Sequence, residues 1–582
     1  MRGRTKTFRL AVHIARLCGA AALIAIGFPA AAQTSPMPAM PGMDHPHSAP
    51  TPAFPQSIAD WSHDAQLFTG LGDFHRPISS KSPEAQRYFD QGMRLLWAFN
   101  HDEAARSFAR AAEIDPRCGI CYWGVALTLG PNYNMPMMAE ARAKVAWEAV
   151  LRARAETANA SPAEKALIAA IGERYRGAAP LDPSNTTPLL AAYAGAMREA
   201  AQRFPGDDDI QTLFAEAVMN IAPWKLWNAD GTPAPGTAEV VTTLETVLAR
   251  SASHPGANHY YIHAVEASRR PEAALASAER LKAAMPSAGH LVHMPSHIMQ
   301  RVGRYEEAAE ANRLGAAADA AYYKQTTPID YYPMYTAHNY QFLAFSASME
   351  GRRAETLSAA RAARAAMSDD MLANMGTVDW SIGYLYDGMI RFGLWDEMLR
   401  EALPDKRLIG LTVSYHSGRA IALAAKGRIK EAREAADRLD AVAATSPEGA
   451  IAGLNLAKDV FAVASLKTRA RILAAEGDRA GAIGLLTRAV AGEDLLAYNE
   501  PADSFFPTRH FLGALLIDSG RAAEAEAVYR EDLVRNPENG WALFGLAKAL
   551  EAQKRGGEAK LVAARYGAAW KHADVMLTSS AF

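Results

Sequence analysis

The chain consists almost entirely of amphipathic helical segments separated by glycine or asparagine turns. Glycine favours such turns because it adopts left-handed backbone conformations at low steric cost. A single helical hairpin cannot bury its own apolar face, so neighbouring hairpins stack and share a continuous core. Because 49% of the 582 residues are hydrophobic, the chain can form a long core, and we predict an all-α fold. In the second half of the sequence, turns that precede a helical segment lie at Gly303, Gly351, Gly393, Gly427 and Gly477.

Two segments indicate the type of repeat. One is AQRYFDQGMRLLWAFNHDEAARSFARAAEIDP at residues 85–116, and the other is FLGALLIDSGRAAEAEAVYREDLVRNP at residues 511–537. Both resemble the tetratricopeptide repeat, a family that forms right-handed superhelices of helix hairpins around a concave groove. The resemblance implies a tetratricopeptide-type solenoid, here an exported bacterial one. Its implied packing positions are Gly92, Ala104, Phe108, Ala111, Pro116, Leu512, Gly513, Ala525, Tyr529 and Pro537, with a further unit from Trp541 and Gly545.

Changes in composition along the chain predict six segments. Turns in the middle of the chain are unevenly spaced, so we expect insertions between the repeats there. The predicted segments are a signal peptide at 1–32, a disordered Met/His/Pro-rich tail at 33–57, a transition segment at 58–84, N-terminal repeats with insertions at 85–254, central His-rich repeats at 255–370 and C-terminal repeats at 371–582.

The first 32 residues have the pattern of an export signal. An apolar run at 17–28 is followed by small residues at 29–32 and preceded by basic ones: Arg2, Arg4, Lys6, Arg9 and Arg16. Roughly a dozen apolar residues are too few for a comfortable membrane span. We therefore expect cleavage, a periplasmic or secreted mature protein and no stable membrane span. The charge is nearly balanced, with 61 Lys+Arg against 63 Asp+Glu, so we expect no nucleic-acid partner.

The most informative polar feature is a repeated pair of histidines. His259 and His263 stand in NHYYIHAVEAS, and His293 and His297 follow 34 residues later in HLVHMPSHIMQ. Both pairs have i,i+4 spacing, which places the two imidazoles on one face of a helix. Because 34 residues is the length of one tetratricopeptide repeat, the same face recurs one repeat later. We predict that the four imidazoles converge in the groove.

Three further residues extend this histidine cluster. His290 falls one turn before His293, and Glu266 continues the stripe of the first pair. His338 takes a similar place in the following repeat. Imidazole binds zinc, copper, iron and nickel, and i,i+4 pairs on facing helices can build such sites. The sequence therefore predicts a copper or zinc site formed by His259, His263, His290, His293, His297, His338 and Glu266.

The alternative is a groove in which these imidazoles hydrogen-bond to or stack on a bound peptide. A third alternative is an enzyme that places a substrate beside a histidine-bound metal, with Glu266 as ligand or base. The HExxH motif of zinc proteases is absent from this helix, because Tyr260 follows His259. We assign no catalytic residue and favour a function without catalysis.

A second candidate for metal binding lies in the N-terminal tail. Three methionines at every third position are followed by two histidines, and this composition resembles the Met/His-rich tails of periplasmic copper-handling proteins. Thioether sulfur prefers Cu(I), and imidazole also accepts Cu(II). The alternative is a low-complexity linker. The residues concerned are Met37, Met40, Met43, His45 and His47.

Cys118 and Cys121 form a CxxC in the part of the chain that follows the leader. Haem attachment would need histidine at position 122, where the sequence has Tyr122. In an oxidising compartment we expect a local disulfide between the two cysteines.

Taken with the resemblance, these observations predict an exported scaffold whose concave groove binds a partner protein or peptide. The histidine cluster forms part of that surface or holds a transition metal. The alternative function is that of a periplasmic copper- or zinc-binding protein. The two functions are compatible, since a solenoid can present imidazoles from neighbouring helices.

Overall fold

The structure is a computed structural model that describes residues 54–181, 186–329, 331–374 and 376–582. Helices dominate these ranges, so the predicted all-α helical-repeat fold is confirmed. Among the helices described, none combines the length and the apolar character needed to cross a bilayer. The predicted signal peptide, and the predicted tail up to residue 53, lie outside the described residues.

The helices of the N-terminal and central parts follow one another closely, and consecutive helices pack together. They are α1 (Ile58–His63), α2 (Pro83–Trp97), α3 (His101–Ile114), α4 (Gly119–Leu129), α5 (Glu140–Ala155), α6 (Pro162–Ile171), α7 (Thr187–Arg203), α8 (Asp208–Met219), α9 (Thr237–Arg250), α10 (Pro255–Val265), α11 (Leu275–Leu281), α12 (Gly289–His293), α13 (Pro295–Arg301) and α14 (Tyr305–Tyr323). Two short 3₁₀ helices lie at Gly172–Arg174 and Pro271–Ala274.

The C-terminal part continues in the same way. Its helices are α15 (Tyr332–Met349), α16 (Arg353–Ala365), α17 (Asp369–Ala373), α18 (Tyr384–Arg391), α19 (Trp395–Arg400), α20 (Ile409–Ala425), α21 (Ile429–Ala443), α22 (Ala457–Ala475), α23 (Arg479–Asp494), α24 (Thr508–Asp518), α25 (Ala522–Arg535), α26 (Gly540–Ala552) and α27 (Gly556–Ala569). A 3₁₀ helix at Gly376–Gly383 precedes α18, and a small antiparallel hairpin joins β1 (Ile451–Ala452) to β2 (Asn455–Leu456).

Small residues allow close helix packing at both ends of the repeat array. Phe108 on α3 is fully buried between Gly92 on α2 and Gly124 on α4, and a methyl group added to either glycine would overlap its ring. Tyr529 on α25 lies in the same way between Gly513 and Gly545. These contacts confirm the tetratricopeptide-like packing that the sequence predicts at the two ends, since close-packed interiors leave no room for the extra atoms.

The glycine turns predicted from the sequence are also confirmed. All five lie in the left-handed region, with φ between 68° and 90°, and each precedes a helix. They are Gly303, Gly351, Gly393, Gly427 and Gly477. A residue with a β-carbon is strained at such a φ, which explains why glycine occupies the turn between two helices at these five positions.

Candidate metal centre

Four helices near the middle of the chain bring the predicted histidines together. Helix α10 carries His259 and His263, and Glu266 follows its last residue. Helix α12 carries His290 and His293, while His297 lies on α13 and His338 on α15. Each of these seven residues is at most 2% exposed. The predicted convergence is therefore present in the structure, but in the interior of the protein.

This burial differs from the predicted groove position, and the covering residues explain the difference. The α2–α3 junction places the Phe99 ring against the cluster. The loop between α23 and α24 brings Glu500 to His297 from another part of the chain. Phe99 has a φ of 57°, in the left-handed region that favours glycine. A bulky residue held in that conformation is a feature that clusters at functional sites.

The stripe that carries the second histidine pair is interrupted at Pro295. The sequence pattern treats His290, His293 and His297 as one helical face, whereas the structure ends α12 at His293 and begins α13 at Pro295. Proline has no backbone N–H, so it cannot donate to the preceding turn. Met294 between the two helices keeps right-handed helical backbone angles. The direction of the chain is thus maintained, and the i,i+4 relation between His293 and His297 survives the break.

The first group of imidazoles consists of His259, His263 and His290, whose candidate ligand atoms lie within 4.8 Å of one another. His259 Nδ1 lies 2.6 Å from the carbonyl oxygen of Trp97, and His263 Nδ1 lies 2.7 Å from Glu266 Oε1. Both acceptors require a proton on Nδ1, which leaves the Nε2 lone pairs available. Among the described residues, no hydrogen-bond partner reaches His259 Nε2, His263 Nε2 or either ring nitrogen of His290.

The second group consists of His293, His297 and His338, which also satisfy the 4.8 Å limit. His293 Nδ1 donates to Asn312 Oδ1 at 2.6 Å, and this amide is oriented by its own donation to the carbonyl of Ala308. The Nε2 atoms of His293 and His297 face each other at 2.7 Å. Their proximity requires a proton or a cation between the two lone pairs.

Two carboxylates lie beside the second group. His297 Nδ1 contacts Glu266 Oε2 at 2.6 Å and Glu500 Oε2 at 2.8 Å. Glu266 therefore holds one imidazole of each group, because its other oxygen accepts from His263. Tyr498 donates to Glu500 at 2.8 Å and helps to fix that side chain. Glu500 lies outside the predicted cluster, because its position on a distant loop carries no periodic signal.

Burial and charge divide the imidazoles into two protonation states. Burial and neighbouring imidazoles lower the pKa of five rings, to about 3 for His263 and His338 and well below the usual range for His259, His290 and His293. His297 behaves differently: burial opposes its charge, but Glu500 and Glu266 outweigh burial and raise its pKa to about 10. Burial and the charge of Glu266 raise the pKa of Glu500 to about 7. Neutral imidazoles are the form that ligates metals.

Aromatic rings enclose each group. Phe99 lies against all three imidazoles of the first group, at centroid distances of 4.3, 5.8 and 5.4 Å. Phe342 lies against all three of the second group, at 4.7, 4.6 and 4.7 Å. Such walls exclude water and lower the local dielectric constant, which strengthens electrostatic interactions inside.

A small cavity adjoins the cluster on the side of His290. Its volume is about 90 Å³, and partly exposed residues such as Phe68 and Gln325 form its outer part. His290 and Tyr332 lie among its lining residues. Of the first group, His290 borders this space, and both of its ring nitrogens are buried.

The remaining predicted residues lie elsewhere or outside the described ranges. Cys118 and Cys121 are joined by a disulfide at the start of α4. The tail residues lie outside the described residues, so their metal binding stays a prediction; they are Met37, Met40, Met43, His45 and His47.

Comparisons with known proteins add little about function. No protein-family model and no curated protein matches this sequence. A structure of the human IFIT1 dimer with m7Gppp-AAAA is similar at 10% identity and a TM-score of 0.34, covering 77% of this chain and 89% of that one. The APC/C hetero-tetramer Cut9-Hcn1 is similar at 12% identity and a TM-score of 0.26, covering 85% of this chain and 95% of that one. Similarity this low carries no conclusion about a ligand.

Proposed function

We propose that this protein binds copper or zinc in the buried histidine cluster, within a helical-repeat scaffold. One observation carries the proposal. The candidate ligand nitrogens within each group lie within 4.8 Å of one another, and acceptors on the opposite ring edge orient four of the six imidazoles, those of His259, His263, His293 and His297. Metal-bound histidines almost always donate their other ring N–H to a carboxylate or a carbonyl, and this arrangement fixes the ring and its tautomer.

The energetics of the metal-free cluster support the proposal. A buried polar atom that lacks a hydrogen bond costs about 1–3 kcal/mol. Five ring nitrogens in the described part of the chain are buried and lack a hydrogen-bond partner: His259 Nε2, His263 Nε2, both nitrogens of His290 and His338 Nδ1. An ion would satisfy several of these atoms at once. Imidazole also matches copper and zinc better than it matches the hard cations calcium and magnesium.

Metal analysis of the mature protein tests this proposal. The protein is purified without chelators or a polyhistidine tag, and its metal content is measured by mass spectrometry with and without added copper or zinc. We expect stoichiometric metal that disappears in the double variant His259→Ala/His293→Ala. The variant His572→Ala, which changes an exposed histidine, is the matched control and should retain the metal. Wild-type protein that takes up neither ion would contradict the proposal.

We further propose that the protein is exported and functions in the periplasm or outside the cell. The basic start and the short apolar run of its first 32 residues support this. Cell fractionation, with the mature N-terminus mapped by mass spectrometry, tests it. Full-length protein confined to the cytoplasm would contradict export.

A second candidate function, peptide binding by the scaffold, is favoured by a cavity in the C-terminal repeats. The cavity measures about 620 Å³ and is lined by α20, α22, α23, α24, α25 and α26 together with residues 578–582. Within this C-terminal segment, Ser580 lies 2.5 Å from the hydroxyl of Tyr529 and donates to the carbonyl of His510 at 3.0 Å. The repeats thus already hold a non-helical segment of chain, as a peptide-binding groove would.

Titration of a shortened protein tests this second function. We expect a labelled MLTSSAF peptide, corresponding to residues 576–582, to bind saturably to protein that lacks this segment. A scrambled peptide is the control. Equal binding of both peptides would contradict specific recognition by the groove.

A further inference from the structure

We propose that the histidine cluster holds two metal ions, one in each group, with Glu266 as the residue that links their imidazoles. This inference rests on the proposed metal binding and specifies its stoichiometry. The two groups share no residue: the first is His259, His263 and His290, and the second is His293, His297 and His338.

Hydrogen bonding separates the two groups. His263 and His297 donate their Nδ1 protons to opposite oxygens of Glu266, at 2.7 and 2.6 Å. Each ring therefore directs Nε2 away from the shared carboxylate. One carboxylate orients one imidazole for each ion, which makes Glu266 a positioning residue and leaves ligation to the rings.

The surroundings repeat this division. The described ring contacts between Phe99 and the six cluster histidines are all with the first group. Those of Phe342 are all with the second group. The groups are nevertheless adjacent, because the rings of His263 and His297 lie 5.4 Å apart and those of His290 and His293 lie 5.6 Å apart. Two ions bound there would be close enough to interact magnetically.

A single mixed site is the main competing arrangement. His263, Glu266, His297 and Glu500 also bring candidate ligand atoms within 4.8 Å of one another. The contacts that join their imidazoles to the carboxylates measure 2.6–2.8 Å, which are hydrogen-bond lengths. Ligands of a tetrahedral ion with bonds of 2.0–2.1 Å would lie about 3.3 Å apart. In this third set the short contacts join Nδ1–H donors to carboxylate acceptors, which already satisfy each other, so the set suits hydrogen bonding better than an ion.

The second group must rearrange slightly before it can bind an ion. Its Nε2 atoms, on His293 and His297, are 2.7 Å apart, so they share a proton. An ion entering there releases that proton to solvent, and the two nitrogens move apart by a few tenths of an ångström. In the first group no shared proton has to leave, because the Nε2 atoms of His259 and His263 have no hydrogen-bond partner among the described residues.

Each ion would have three protein ligands. Three-ligand sites leave a further coordination position for water or a small molecule.

Copper loading of the full mature protein tests the stoichiometry. We expect two copper ions per chain in the wild type and one in each of His290→Ala and His338→Ala. The control His572→Ala should keep both ions, since this exposed residue lies outside the two groups. Where an alanine variant fails to fold, the phenylalanine variant of the same position fills the space and tests the same ligand.

Electron paramagnetic resonance adds a readout that counting ions cannot supply. Two adjacent Cu(II) ions couple, so we expect the signal per copper to be smaller in the wild type than in either single-site variant. One ion that is lost in both variants would overturn the two-ion inference and leave the proposed function intact. Wild-type protein with no metal would overturn both. Two ions with uncoupled signals would contradict adjacent sites.

Discussion

Replacing His297 with alanine is expected to destabilise the metal-free protein by about 3–5 kcal/mol, because two buried carboxylates then lose their cationic partner. His297 lies between Glu266 and Glu500, at 2.6 and 2.8 Å, and all three side chains are almost fully buried. The raised pKa of His297, about 10, keeps this ring charged at neutral pH. Removing the ring leaves two carboxyl groups without their cation in an interior that cannot hydrate a charge, so they must either take up protons or stay charged at a cost in stability.

Urea unfolding of metal-free protein, followed by circular dichroism, measures this effect. The double variant His297→Ala/Glu500→Gln should recover about 0.5–3 kcal/mol of the loss, because it removes one of the stranded charges. The exposed control His572→Ala should stay within about 0.5 kcal/mol of the wild type. A loss below about 1 kcal/mol in His297→Ala would show that no buried ion pair exists there.

Replacing Glu266 with glutamine is expected to weaken the binding of both ions by about 10–100-fold each. The carboxylate accepts from His263 of the first group and from His297 of the second. Loss of its charge lowers the basicity of both rings. The amide NH₂ group also faces one of the two Nδ1 protons, so we expect one site to weaken more than the other.

Glu500→Gln is the matched control for this experiment. Glu500 makes a direct contact with His297 of the second group, whereas His263 of the first group lies within 4.8 Å of it and makes no hydrogen bond to it. Competition titrations with a chelator of known affinity should show one weakened ion in this variant and two in Glu266→Gln. Unchanged affinity of both ions in Glu266→Gln would contradict its positioning role.

The repeat packing and the histidine convergence could be predicted because both depend on local spacing. A glycine that approaches an aromatic ring, as Gly513 approaches Tyr529, recurs at fixed positions in a helix hairpin. The spacing that joins His259 to His293 is likewise one repeat length. Helix periodicity determines which face such residues occupy. Stacking then brings equal faces of successive hairpins together.

The enclosure of the cluster could not be predicted in the same way. Glu500 reaches His297 on a loop some two hundred positions later in the chain, and the carbonyl of Trp97 reaches His259 from the α2–α3 junction. Loop paths and backbone carbonyls have no side-chain periodicity. The sequence pattern therefore placed the imidazoles in an open groove, whereas these long-range contacts close over them.

The break at Pro295 affects how strictly the second group can discriminate among ions. Pro295 has no backbone N–H and cannot donate to the carbonyl of Leu291. The turn that carries His297 is therefore joined to the turn that carries His293 by one hydrogen bond fewer. The spacing between these two imidazoles can then follow the radius of the ion that enters. Two ligands whose separation can change select weakly by ionic radius. The affinities of the site for first-row divalent ions then follow the general order that applies to such ions at nitrogen ligands. We therefore expect the supply of each metal to decide which ion this centre carries.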